Sequence, residues 1–171
     1  MMEREGLVTL LGNPVTLCGE ALAVGGKAPE FEVSANDLSP VKLSDSAGKV
    51  RLLVAVPSLD TPVCDTETRT FNKAAADLGD DVEILVVSMD LPFAQARWCG
   101  AAGVDAVTTL SDHKTAEFGE AYGLLIKEVR LLARAVLVVG RNGDIVYQEL
   151  VSEVADEPNY EAALAAVKKA L

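Results

Sequence analysis

The segment Pro57-Ser58-Leu59-Asp60-Thr61-Pro62-Val63-Cys64 joins a continuous apolar run to a stretch that opens with proline, and it sets a thiol close behind that proline. Proline is favoured at the first helical position, so the spacing predicts Thr61 as the N-cap and Cys64 in the first turn. A free cysteine titrates at about 8.5 and is mostly protonated near neutrality, whereas a helix N-terminus with a cation beside it favours the thiolate and so makes a nucleophile. Asp65 and Glu67 act in the opposite sense if they face the sulfur. A cation is therefore required. Arg69 lies one turn along the same helix and Arg134 lies just before a later apolar run; Arg134 is favoured, because an arginine at a strand end projects over the edge of a sheet.

Two other cysteines are present, Cys18 and Cys99. Cys99 sits late in a second helix-like stretch, and Cys18 sits in a short alternating run where packing is its expected role. Cys64 has the same bland alternative of a buried small apolar residue, but its Pro-x-x-x-Thr-x-x-Cys context argues for chemistry. The single histidine, His113, stands among Ser111, Asp112 and Lys114 as a solvated helix-start residue. With one histidine and no close cysteine pair, a zinc site lacks ligands. A thiol–disulfide exchange enzyme needs Cys-x-x-Cys, and here Glu67 occupies the second position.

The elements that must hold these residues alternate. Val8-Thr9-Leu10 and Val15-Thr16-Leu17 flank Gly12-Asn13-Pro14, which predicts an N-terminal β-hairpin. Phe31–Val33 and Val41–Leu43 read as short strands. Leu52–Val56, Val82–Met89 and Ala135–Val139 read as strands buried on both faces, with helices expected over 62–78, 92–102 and 114–122. Asn142-Gly143 between the last run and Ile145-Val146-Tyr147 predicts a second hairpin, and a final helix is expected from Asn159. Strands alternating with helices imply an α/β fold, a mixed central sheet flanked by helices with a β-hairpin at the N-terminus. A thioredoxin-like arrangement fits that pattern.

At 171 residues the chain, 1–171, is expected to form one domain. Half of it is hydrophobic, and 26 acidic against 15 basic residues give a net charge of -11, which disfavours nucleic acid as a partner and favours solubility. No apolar run reaches the roughly 20 residues of a membrane-spanning helix, and no membrane partner is expected. Leu7–Leu11 is too short and too soon interrupted for a secretion signal, so the expected location is cytoplasmic. Thiols there are usually reduced, and the three cysteines read as reactive, buried or transiently paired. No metal, flavin or nicotinamide signature appears, and no cofactor is expected.

Pro57-x-x-x-Thr61-x-x-Cys64 resembles the active-site motif of the peroxiredoxins. Gly12-Asn13-Pro14-Val15-Thr16, Asp60–Thr66, Arg69-x-Phe71-Asn72, Asp90–Arg97, Trp98-Cys99-Gly100 and Ala133–Val136 extend the likeness to the bacterial thiol peroxidase subfamily over nearly the whole chain. The resemblance implies roles at matching positions. Cys64 is the peroxidatic thiolate, Thr61 hydrogen bonds to peroxide and thiolate, Pro57 shields the pocket, and Arg134 stabilises the thiolate and orients the peroxide. It further implies that Cys99 resolves the Cys64 sulfenic acid as an intrachain disulfide, that thioredoxin reopens it, that hydrogen peroxide and alkyl hydroperoxides are the substrates, and that the protein serves antioxidant defence as a homodimer. The apolar stretch between Tyr122 and Ala133 is compatible with packing near such a site or lining an opening for bulky hydroperoxides. A peroxide sensor that relays oxidation to a partner protein begins with the same sulfenic acid, and a one-cysteine peroxidase using an external thiol is the third alternative.

Overall fold

The computed structural model describes residues 1–171. The chain runs through β1 (Glu3–Leu10), β2 (Asn13–Cys18), β3 (Glu32–Ser34), β4 (Pro40–Lys42), β5 (Val50–Ala55), α1 (Pro62–Ala75), β6 (Val82–Ser88), α2 (Pro92–Ala102), β7 (Thr108–Ser111), α3 (Glu117–Ala121), β8 (Leu125–Ile126), β9 (Ala135–Val139), β10 (Ile145–Leu150) and α4 (Tyr160–Ala170). Seven strands form the main sheet in the order β10-β9-β5-β6-β7-β3-β4. The pairs β5–β6 and β6–β7 are parallel, and α1 and α2 are the crossovers that parallel neighbours require. The other pairs are antiparallel. A smaller sheet, β1-β2-β8, carries the N-terminal hairpin.

The apolar strands sort their side chains by the period of two. Leu53, Ala55, Leu85, Val87, Leu137 and Val139 enter a core shared with Phe31, Phe118 and Tyr122. Leu52, Val54, Ile84, Val86, Val136 and Val138 enter another, which Cys64 and Phe71 of α1 and Ala163 and Val167 of α4 complete from the opposite face. The buried residues of α1 are Cys64, Glu67, Thr68 and Phe71, one stripe at helical spacing. The nucleophile candidate is thus part of the face that docks the helix, and the N-terminus of α1 lies where β5 ends.

Leu124, Leu125 and Leu132 pack in the first of these cores, while Ile126 and Ala133 meet Val8, Val15 and Leu17 of the hairpin. The 122–133 stretch therefore fastens the small sheet to the body. Two glycines allow this contact. A Cβ on Gly19 would run into the Glu120 carbonyl, and one on Gly123 into the Glu20 carbonyl and the Arg4 guanidinium; both residues also have positive φ, +104° and +65°, which glycine adopts without steric penalty.

The expected elements are present with shifted ends: α1 stops at Ala75 and α3 begins at Glu117. Strands β7 and β8 had no sequence expectation. The fold is the anticipated thioredoxin-like α/β arrangement with an N-terminal hairpin. No helix is long and apolar enough to cross a membrane.

Because Phe71 is fully buried and meets Tyr160 of the C-terminal helix edge-on with centroids 5.3 Å apart, Phe71→Ala is expected to destabilise the protein by about 3–5 kcal/mol, measured as a lowered urea midpoint.

Candidate active site

Strand pairing explains why Arg134 meets Cys64. Ala135, the first residue of β9, lies opposite Ala55, the last of β5, so Arg134 stands beside the loop that leads to α1. Its side chain is 1% exposed and its guanidinium is divided among three partners. Nε donates to the Val154 carbonyl at 2.8 Å, Nη1 to Glu67 Oε2 at 2.5 Å, and Nη2 to Cys64 Sγ at 3.2 Å. Cys64 is fully buried. The sulfur is thus within hydrogen-bond reach of a full positive charge, and low local polarity strengthens such a contact. Of the two cations weighed from sequence, Arg69 is engaged elsewhere: its Nε donates to Asp65 Oδ2 at 2.9 Å.

Glu67 is the residue whose part the sequence concealed. It lies three positions after Cys64, on the same stripe of α1, and is itself fully buried. It faces the cation and not solvent. Burial pushes its carboxyl up to about 7, with Arg134 pulling against that shift. A close ion pair by itself would hold a carboxyl low, but three observations support the upward direction. Glu67 has no exposure, its Oε1 has no partner, and the one neighbouring cation is shared with Cys64. On Arg134 burial acts downward, yet Cys64 and Glu67 together hold the guanidinium above its ordinary value. One cation serves two acids.

Thr61 is the N-cap of α1, with extended backbone at φ -102° and ψ 147°. Its hydroxyl does not cap the helix or reach the sulfur as anticipated; Oγ1 donates to the Ser58 carbonyl at 2.8 Å. The reason is the tight turn over 58–61, where Thr61 N–H also points at that carbonyl, at 3.2 Å. The lone pairs of Oγ1 remain available to accept. Pro57 is buried between β5 and α1. Asp90, not singled out from the sequence, holds this loop: it accepts from Ser58 Oγ at 2.7 Å, from Leu59 N–H at 2.8 Å and from Ser88 Oγ at 2.7 Å.

Cys99 lies near the C-terminal end of α2, which closes at Gly103 in the left-handed conformation. It is half-buried, and its Sγ is 3.3 Å from Thr109 Oγ1. Thr109 Oγ1 is also 3.1 Å from Asn36 Oδ1, to which it donates. Both cysteines are free thiols, each tied to a different partner. Cys18 is also free and packs in the core beneath the hairpin. His113 Nδ1 is 2.9 Å from Ser111 Oγ and stands apart from the Cys64–Arg134 cluster.

The site thus sets a buried thiol in the first turn of a helix, within reach of a buried arginine, in a thioredoxin-like fold. The Redoxin family model matches residues 23–164. The chain is 58% identical over 164 residues to the thiol peroxidase of Halalkalibacterium halodurans, covering 96% of this chain and 98% of that protein. With the thiol peroxidase of Bacillus subtilis it shares 54% identity over 161 residues, 94% of this chain and 96% of the other. A solved peroxiredoxin-like protein from Aquifex aeolicus superposes with a TM-score of 0.91 at 42% identity, covering 98% of this chain and 99% of that one. The chain belongs to the Redoxin family. Within that family its activity is that of a thiol peroxidase, a peroxiredoxin enzyme.

The raised Glu67 carboxyl gives a pH prediction. A carboxyl that titrates higher in the folded than in the unfolded state contributes stability that is complete below about 4.5 and is lost as pH rises through about 7. Urea denaturation of wild type and Glu67→Gln is expected to show the wild type losing about 2–3 kcal/mol relative to the variant between pH 5 and pH 8.

Proposed function

We propose that the protein reduces hydrogen peroxide to water and alkyl hydroperoxides to alcohols, with Cys64 as the attacking thiolate, Cys99 as the resolving thiol of the same chain, and thioredoxin as the reductant. The observation that carries the reading is Arg134 Nη2 at 3.2 Å from a fully buried Cys64 Sγ. In the first step the thiolate attacks one peroxide oxygen, the O–O bond breaks, and the other oxygen leaves with the bonding pair and takes up a proton. Cys64 becomes a sulfenic acid. Charge develops on the departing oxygen, so donors already in place lower the barrier. Arg134 and the unpaired N–H groups of the first turn of α1 supply them. Thr61 Oγ1, whose proton is committed to Ser58, accepts from the peroxide O–H and so orients it. Pro57, buried behind the loop, keeps water from the sulfur.

In the second step Cys99 Sγ attacks the Cys64 sulfenic acid, the S–O bond breaks and water leaves, giving the disulfide. A disulfide requires Cα atoms about 4.4–6.8 Å apart. With Cys64 tied to Arg134 and Cys99 tied to Thr109 on separate helices, the reading includes local unwinding of both segments. The chain has no Cys-x-x-Cys pair with which to reopen that bond, so an external dithiol must, and a thioredoxin-type protein carries one. The sequence resemblance adds the homodimer, the cytoplasmic setting and the place in antioxidant defence.

One equivalent of peroxide added to reduced protein is expected to consume two thiols and leave a Cys64–Cys99 link within one chain, mapped by mass spectrometry, while Cys99→Ser stops after one turnover with thioredoxin. An oxidised Cys64 with Cys99 still free would contradict this and point to an external resolving thiol or to a sensor.

A further inference from the structure

The residues next to the two cysteines are bonded to each other. Trp98, which precedes Cys99 in α2, donates its indole N–H to Oδ1 of Asp65, which follows Cys64 in α1, at 2.9 Å. The other carboxylate oxygen of Asp65 takes Arg69 Nε at 2.9 Å. The Arg69 guanidinium lies 5.8 Å from the Trp98 ring centroid, and its Nη1 donates to the Ala102 carbonyl at the end of α2 at 3.2 Å. The first turn of α1 and the last turns of α2 are thereby joined by side chains flanking both thiols. These are the segments that have to move if Cys64 and Cys99 are to meet.

We infer that Asp65 and Trp98 form a clamp that holds the segments around Cys64 and Cys99 closed and sets how fast the sulfenic acid passes to the disulfide. The inference rests on the proposed Cys64–Cys99 pairing. Within the clamp the Asp65–Arg69 ion pair is the weaker part, since its side chains are 35% and 49% exposed and such pairs contribute little. The indole N–H is the stronger part, because its acceptor is charged and Trp98 is half-buried against the α1 core. Beside it lies an open cavity of about 390 Å³ lined in part by Thr61, Pro62, Trp98 and Ala102, which leaves the indole room to swing clear once the bond to Asp65 is broken.

The clamp has a chemical consequence through competition at one sulfur. A Cys64 sulfenic acid either loses water to Cys99 or meets a second peroxide, which transfers an oxygen to give the sulfinic acid and releases a water or alcohol. A clamp that slows the first outcome lengthens exposure to the second. Asp65 and Trp98 are positioning residues for the resolving step and touch neither the peroxide nor the reacting sulfurs.

The test is quenched-flow alkylation with intact-mass readout on wild type, Trp98→Phe and Asp65→Ala. Trp98→Phe keeps most of the ring and its packing while removing the N–H. Expected in both variants is sulfenic acid formation within about two-fold of wild type, with disulfide formation about ten- to a hundred-fold faster, the size of one net hydrogen bond to a charged group. The sulfinic fraction at excess peroxide should fall in the same ratio. Disulfide formation at the wild-type rate, or slower, in folded Trp98→Phe would overturn the clamp. A wild type that never forms the Cys64–Cys99 link would instead overturn the pairing on which it rests.

Discussion

A guanidinium taken out of water needs every N–H group directed at an acceptor and its charge met by an anion, and Arg134 sets that demand at the centre of the molecule. Its three partners come from two parts of the chain: Cys64 and Glu67 from one face of α1, and the Val154 carbonyl from the segment after β10. Bringing them together requires β9 to lie antiparallel beside β5, so that the start of one meets the end of the other. It also requires α1 to begin at Pro62, so that positions 64 and 67 share a face. The hairpin, α4 and the covering loops close the remaining sides and keep the cluster dry. A sulfur and a carboxyl compete for one cation, and burial resolves the competition by disfavouring a second negative charge at Glu67.

The burial that docks Cys64 beneath α1 also separates it from Cys99. Cys64 belongs to the docking stripe of α1, between Leu59 and Phe71 in the core, whereas Cys99 is half-buried and linked to Thr109 in β7. In the proposed mechanism, reactivity toward peroxide calls for a folded first turn, and disulfide formation calls for its release. Polar, solvent-edged contacts tie α1 to α2 and to the loop after it: Trp98 to Asp65, Arg69 to Ala102, and Ala106 N–H to Asn72 at 2.7 Å. Such contacts open at lower free energy than the apolar layer beneath the helices. Asp90 fixes the loop before α1 from the side of the sheet, so a local opening of the first turn need not disturb Pro57 or β5.

Much of this was legible in the residues. Runs such as Leu52–Val56 and Ala135–Val139 announce strands covered on both faces, Asn142-Gly143 announces its hairpin, and the proline-opened helix places Cys64 in a first turn. What sequence spacing could not give was direction. Asp65 and Glu67 look alike beside Cys64, yet two residues of helix rotate them to opposite tasks, one to Trp98 and Arg69 across the α2 seam, the other to Arg134 in the interior. Thr61 is the N-cap by backbone, but a turn over 58–61 captures its hydroxyl. Strand β7 escaped notice because its buried residues include Thr109 and Ser111, whose polarity breaks any apolar run. Strand β8 escaped because it is two residues long and forms only when the hairpin is there to pair with it.

The most direct test of Arg134 at the centre separates the two roles proposed for it, favouring the thiolate and stabilising the departing oxygen. Second-order rates of Cys64 with hydrogen peroxide and with iodoacetamide, which transfers no oxygen, would be measured against pH in a Glu67→Gln background with Arg134 intact or changed to Gln. The double change leaves no lone buried carboxylate. At the high-pH plateau, where the thiolate is complete, the peroxide rate is expected to fall by about 10²–10³-fold on loss of Arg134 and the alkylation rate by less than about 10-fold. Equal falls in the two rates, or a peroxide rate left unchanged, would contradict a role for Arg134 in the transition state.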